Sequence, residues 1–196
     1  MDKTMNILYY TSNKLDEKIQ KLVCNRLLLA GLPIVSVSLK PMDFGKNIVL
    51  DLKPSPDSML KQIIAGLEAS SDYVFLCEHD VLYDSSHFIK HDGDKFYFNT
   101  NVWKLKWMTD HVVWTDDLQQ LSGMSGKREV LLKHFKGLEK FDRHYEPRDN
   151  RENYSSEFPN IDIRHDKNLT PSKWSVEDFR NKKYAKGWKE STLDKI

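Results

Sequence analysis

The chain has 196 residues, with 30 Lys+Arg against 29 Asp+Glu and a formal net charge of +1, a length that one domain with one core usually occupies. Hydrophobic residues at 39% and aromatics at 11%, with five Trp, argue against a disordered chain. No apolar run approaches the ~18–20 residues that cross a bilayer, and the even charge balance argues against a surface that attracts nucleic acid everywhere, though not against a local patch.

From the amino terminus, Asn6 to Thr11 is rich in β-branched and aromatic residues and stops at Ser12-Asn13, which predicts a strand running into a polar turn. From Leu15 the apolar positions Ile19, Leu22, Val23, Leu27 and Leu29 recur at helical spacing until Gly31 and Pro33 end the run. Ile34 to Leu39 predicts a second strand, and Ile48 to Leu50 a short third. Ser55-Pro56 opens a helix with Met59, Ile63, Ile64 and Leu67 on one face, where proline suits the first turn because its N–H is missing anyway. Asp72 to Cys77 is a short, almost wholly apolar segment, the pattern of a strand buried on both faces. Strand, helix, strand, helix, strand predicts a doubly wound α/β sheet, whose ligands sit beyond the carboxyl ends of the strands. That rule directs attention to Thr11-Ser12-Asn13 and to the residues just after Cys77.

The second half is less regular. Lys95 to Trp103 and Val112 to Thr115 predict further strands, added antiparallel to the same sheet. Ser122 to Gly126 is a small-residue loop before a short helix from Lys127 to Phe135. Beyond Gly137 the chain reads as charged loop to about Pro159, and Ile161 to Ile163 is strand-like. The final stretch holds Trp174, Phe179, Tyr184 and Trp188 among many Lys and Arg, which predicts a helix or tail packed on the body. Two cysteines, Cys24 and Cys77, make no disulfide framework and no metal spacing, and no signal peptide is visible. The expectation is a reducing, cytoplasmic setting without a membrane span.

The most informative stretch is Phe75-Leu76-Cys77-Glu78-His79-Asp80, an apolar strand ending in two carboxylates one residue apart. If the strand continues through them, Glu78 and Asp80 project to one side about 6–7 Å apart and repel each other, a cost that a divalent cation relieves. Oxygen donors of this kind suit Mg2+ or Mn2+. On a solvated turn, the same two acids would simply face water.

Glu78-His79-Asp80 at the end of that strand, preceded by the helix Gln62 to Ala69, resembles GT-A glycosyltransferases, in which a D-x-D motif holds the metal that binds a nucleotide-sugar diphosphate. The resemblance spans roughly residues 5 to 174. It implies an α/β fold, a GT-A-like Rossmann-type sandwich with a central, mostly parallel sheet flanked by helices. It makes Asp80 the direct metal ligand and Glu78, which stands where the motif has Asp, a ribose contact or a metal ligand, directly or through water. Thr11 and Asn13 fall near the base or ribose, where an ordinary helix cap is the alternative, and Gln62 is counted with the donor-binding residues.

Leu121 to Leu132 is similar to the family's G-x-x-x-x-R-R-x-x-L-type segment, so Lys127 or Arg128 would add positive charge beside the donor; a plain turn is the alternative. His165, late in the chain after a strand-like run, resembles the metal-ligand histidine of many GT-A enzymes, with Lys167 and Asn168 reaching the diphosphate. Strand alternation sets His79 on the opposite side of the strand, and His87, His91, His111, His134 and His144 lie on polar stretches, so none of these six is given a metal role. Trp103, Trp107 and Trp114 are either an aromatic platform for sugar or base, or core. An inverting enzyme needs a carboxylate base, which the family pattern places between Phe141 and Glu157. Glu146 is the choice among Glu146, Asp149, Glu152 and Glu157.

These expectations describe one glycosyltransferase-like domain over 1–196, with a nucleotide-binding half at 1–83, an acceptor and donor-sugar half at 84–170 and a basic tail at 171–196. The activity expected is metal-dependent transfer of a sugar, from a donor expected to be UDP-linked, to a hydroxyl acceptor, with Mn2+ or Mg2+ as cofactor. One acceptor class is a hydroxymethylated base in viral DNA, for which Arg164, Lys167, Lys173, Trp174 and the basic residues that follow would supply phosphate contact and stacking. A metal-dependent phosphoesterase or nucleotidyltransferase could use the same Glu78, Asp80 and His165, and a non-catalytic nucleotide-binding module is the third reading.

Overall fold

The computed structural model of the protein describes residues 5–115, 118–138, 145–165 and 188–196. Its first half follows the predicted order: β1 (Met5–Thr11), α1 (Glu17–Leu29), β2 (Ile34–Ser38), β3 (Lys46–Val49), α2 (Pro56–Glu68) and β4 (Tyr73–Glu78). Asp16 caps α1, its Oδ1 accepting the Lys18 N–H at 2.8 Å, and Ser55 caps α2, accepting from Ser58 at 3.1 Å. Strands β3, β2, β1 and β4 pair side by side and parallel, in that order. The chain is therefore mixed α/β, with parallel strands at the centre of its larger sheet.

Past β4 the chain builds two sheets, where the sequence predicted one. Lys95 to Trp103 is two strands, β6 (Phe96–Asn99) and β7 (Val102–Lys106), separated at Thr100-Asn101 and belonging to different sheets. β6, β9 (Met124–Lys127) and β10 (Arg151–Tyr154) complete a seven-stranded sheet in the order β10-β6-β9-β4-β1-β2-β3, with only β9 running against its neighbours. β5 (Val81–Leu82), β7, β8 (His111–Thr115), β11 (Asn160–Arg164) and β12 (Trp188–Thr192) form a second sheet of five strands. Residues 1–83 and 84–170 thus share the larger sheet. β10 lies within the segment predicted as loop, and β12 is a strand paired antiparallel to β8 where a helix or tail was predicted.

Each face of the larger sheet has its own core. On one side Tyr73, Phe75 and Cys77 of β4 meet Ile19, Val23 and Leu27 of α1, with Leu105, Val112, Ile161 and Ile163 of the second sheet beside them. On the other, Val74 and Leu76 meet Leu60, Ile63 and Leu67 of α2, with Leu131 and Phe135 of α3 (Arg128–Lys136). β4 is apolar throughout because both its faces are covered, and each such side chain contributes about 1.5–3 kcal/mol of burial. Gly66 lets α2 settle on β1: a Cβ there would come 2.1 Å from Leu8 Cδ1. Among the described residues, no helix is long and apolar enough to cross a membrane.

Candidate functional site

A cavity of about 220 Å³ opens at the carboxyl ends of β1 and β4, the place a doubly wound sheet reserves for ligands. Thr11 and Ser12 at the end of β1, Glu78 at the end of β4, and Met59 and Gln62 near the start of α2 form one side. Ser122, Glu146, Asp162 and Arg164 contribute the other.

β4 stops at Glu78, and the two-residue turn His79-Asp80 carries the chain into β5 of the second sheet. Strand alternation therefore does not extend through the triplet. The turn swings His79 and Asp80 together, and the imidazole set aside as lying on the far side of the strand joins the cluster. One ligand atom from each of His79, Asp80 and His165 lies within 4.8 Å of the others.

His165 arrives from 85 positions downstream, through β11. Asp162 pairs with Val81 and Ile161 with Leu82, and the Ile163 N–H donates to the Asp80 carbonyl at 2.8 Å. That ladder sets His165 Nε2 3.6 Å from Asp80 Oδ2, both side chains being nearly sealed from solvent.

The electrostatics divides the two carboxylates. Burial works to raise the Asp80 carboxyl, but hydrogen bonding to His165 and the charges of His79 and Arg164 prevail and hold it below the usual carboxylate range. Glu78 is pushed up to about 8, first by burial, then by the charges of Asp80 and Asp162. Glu78 is thus largely protonated at neutral pH; Tyr10 Oη donates to its Oε1 at 3.0 Å, and its own N–H donates to Tyr83 Oη at 2.8 Å. Glu78 lies outside the His79-Asp80-His165 cluster and beside it in the cavity.

The donor set, two imidazoles and one carboxylate, fits a divalent cation of the Mn2+ or Zn2+ type better than Mg2+. His79 Nδ1 lies 2.7 Å from Thr11 Oγ1, which also accepts the Asn13 N–H at 3.0 Å. In the tautomer that donates Nδ1–H to Thr11, Nε2 is the nitrogen left to act as a ligand, the arrangement by which outer partners orient metal-binding histidines. Thr11 therefore serves the site through His79.

Other predicted residues do different work. Asn13, at φ 56°, accepts the N–H groups of Leu39 and Lys40 with Oδ1, tying the end of β1 to the end of β2; it does not line the cavity. Gln62 lines the cavity while its Nε2 donates to the carbonyls of Thr11 and Val37 at 2.8 and 2.9 Å, bracing the same two strand ends.

Lys127 and Arg128 are the clearest correction. β9 runs antiparallel to β4, with Lys127 opposite Tyr73, so the chain enters at the cavity with Leu121 and Ser122 and leaves at the far, amino end of β4. There the Arg128 N–H donates to the Asp72 carbonyl, and Lys127 pairs with Asp94 at 2.6 Å on the exposed surface. The glycines serve the sheet: a Cβ at Gly123 would come 2.7 Å from the Asn99 carbonyl oxygen.

Glu146 lines the cavity as the predicted base would, while Asp149, Glu152 and Glu157 do not. Lys167, Asn168 and most of the basic tail lie outside the described residues. Trp103 and Trp107 pack against the core under the second sheet, and Trp114 donates its Nε1–H to the Thr100 carbonyl with Lys189 over its ring, so none of the three lines the cavity.

Sequence reasoning missed His79, Asp162 and the cavity role of Arg164. A readable signal existed for the last two: Asn160-Ile161-Asp162-Ile163-Arg164 alternates polar and apolar, yet every one of these residues but Arg164 is buried, so the polar face meets a built interior. No protein-family model matches the chain, and no curated protein matches it.

Proposed function

We propose that the chain is a divalent-metal-dependent glycosyltransferase that takes a nucleoside-diphosphate sugar, with UDP as the expected nucleotide. The observation that carries this reading is the convergence of His79, Asp80 and His165 within 4.8 Å, beside a cavity at the carboxyl ends of parallel strands that also holds Glu146. The strand order β3-β2-β1-β4, with a carboxylate motif closing β4, supports the resemblance that the sequence carries.

In this reading Asp80, His165 and His79 would hold a cation, which would supply positive charge to a leaving diphosphate. Glu78 and Tyr10 form the neutral floor under the ribose. Glu146 takes the proton of the acceptor hydroxyl as its oxygen bonds the anomeric carbon and the sugar–diphosphate bond breaks. The acceptor enters from the side of Ser122 and Glu146, and a hydroxymethylated DNA base remains the acceptor class to try first.

The test is a thermal-shift titration with UDP, GDP, ADP and CMP, each with and without Mn2+. One diphosphate should stabilise the fold by ~2.7 kcal/mol at 100 times its dissociation constant, only with Mn2+ present. No response to any nucleotide removes the donor site. Hydrolysis of a nucleoside triphosphate without sugar transfer would instead favour the phosphoesterase reading.

A further inference from the structure

Asp162 accepts two cations on one oxygen: its Oδ2 lies 2.9 Å from Lys104 Nζ and 3.0 Å from Arg164 Nη2. The three groups come from neighbouring strands, Lys104 of β7 standing opposite Asp162 of β11 in the parallel ladder. Lys104 is shut into the interior, with its side chain 4% exposed, and its ammonium also reaches Gln120 Oε1 at 3.4 Å. Arg164 is different, because it lines the cavity. Two cations against one carboxylate leave the triad with a formal charge of +1, and of the two cations only Arg164 lines the cavity.

Its hydrogen bonding is incomplete as well. Nη2 is engaged by Asp162, whereas Nε is buried and has no hydrogen-bond partner among the described residues. A guanidinium presents its donors as a rigid planar fork, matched to an anion with paired oxygens, and a buried N–H without an acceptor is a vacancy such an anion fills. Of the carboxylates in the wall, Asp80 faces His165 and Asp162 faces Lys104 and Arg164, and Arg164 is the one Lys or Arg side chain among the residues lining the cavity.

We propose that Arg164, held in place by Asp162 and Lys104, binds a non-bridging phosphoryl oxygen of the substrate directly, as an anion receptor that does not depend on the cation. The proposal rests on the nucleotide-sugar reading for the identity of the anion. It adds a positioning role for Lys104, which fixes Asp162 and Gln120 without touching the ligand.

The experiment is a calorimetric titration of the full chain with inorganic pyrophosphate in EDTA. Wild type binds at one site; Arg164→Gln binds at least tenfold more weakly; Arg164→Lys, which keeps the charge and loses the fork, falls between them. Lys127→Ala, with its lysine at the far end of β4, binds as wild type does. No binding by wild type, equal binding by Arg164→Gln, or an equal loss in Lys127→Ala overturns the proposal.

Should Arg164→Gln fail to fold, phenylglyoxal modification of the wild-type chain, read by peptide mass mapping, gives the same answer. Pyrophosphate protects Arg164, and full modification in its presence overturns the inference. A Mn2+-dependent UDP response that survives Arg164→Gln would remove this receptor and leave the glycosyltransferase reading standing. Pyrophosphate binding with no nucleotide response would do the reverse.

Discussion

His165 and His87 are both nearly sealed from solvent, at 6% and 0% exposure, and they do opposite work. His165 faces the Asp80 carboxylate at 3.6 Å, beside the cavity that Asp80 lines. His87 faces amides: its Nδ1 lies 3.1 Å from both Asn99 Nδ2 and Asn160 Nδ2, and the rings of Phe75, Tyr83 and Phe88 close around it. Asn99 belongs to β6 of the larger sheet and Asn160 to β11 of the smaller, so His87 joins the two sheets. The residue type is the same in both places. What separates a structural imidazole from a candidate metal donor is the charge of its partner and the presence of open space beside it.

The largest effect expected from breaking this contrast is on the structural side. His87→Ala removes a fully buried ring and the acceptor for two buried amides, and should cost about 3–5 kcal/mol in urea unfolding, as for other large buried rings. A loss under about 1 kcal/mol would show that the sheets do not depend on this hub. Asp80→Asn acts on the other histidine: the Mn2+-dependent stabilisation of ~2.7 kcal/mol by saturating UDP should vanish, with the metal-free melting temperature changed far less.

Acid sharpens the comparison next. Burial lowers His87 from 6.5 to about 3, so the folded state prefers the neutral ring. Its contribution is complete above pH 6.5 and is lost as pH falls from there toward 3, because the unfolded chain takes up the proton first. The slope is about 1.4 kcal/mol per pH unit. Unfolding free energies of wild type and His87→Gln at pH 7 and pH 5 should therefore converge on acidification; parallel losses would remove His87 as the cause. The smallest effect belongs to Lys127→Ala, which should leave both the unfolding midpoint and the nucleotide response unchanged, since its ion pair with Asp94 is exposed.

Much of the first half was legible because its periodicities are strong and local. Alternating strand and helix patterns up to Cys77, the cap at Ser55 and the stop after Leu29 are consequences of propensity and of apolar spacing over neighbouring residues. Asp80, His165 and Glu146 were also legible as chemistry-bearing types in the right order: the structure brings Asp80 and Glu146 to the cavity wall and sets His165 against Asp80. His79 was misjudged because period-2 alternation was carried two residues too far, past the point where β4 ends. Lys127 and Arg128 were misplaced because a glycine-rich run does not reveal that β9 turns back along β4.

By itself, then, the sequence determined the local elements, the two-sided burial of β4 and the acids that close it. Those depend on contacts within a few residues and on the size and polarity of side chains. Tertiary structure alone decided the partners: the split of Lys95 to Trp103 between two sheets, the pairing of β11 with β5 that delivers His165 to Asp80, and the Lys104–Asp162–Arg164 triad. Each joins residues of high sequence separation, and such pairings depend on which register buries the most apolar surface and leaves the fewest polar groups unpaired. That balance is struck over the whole chain at once, and no short window of it contains the answer.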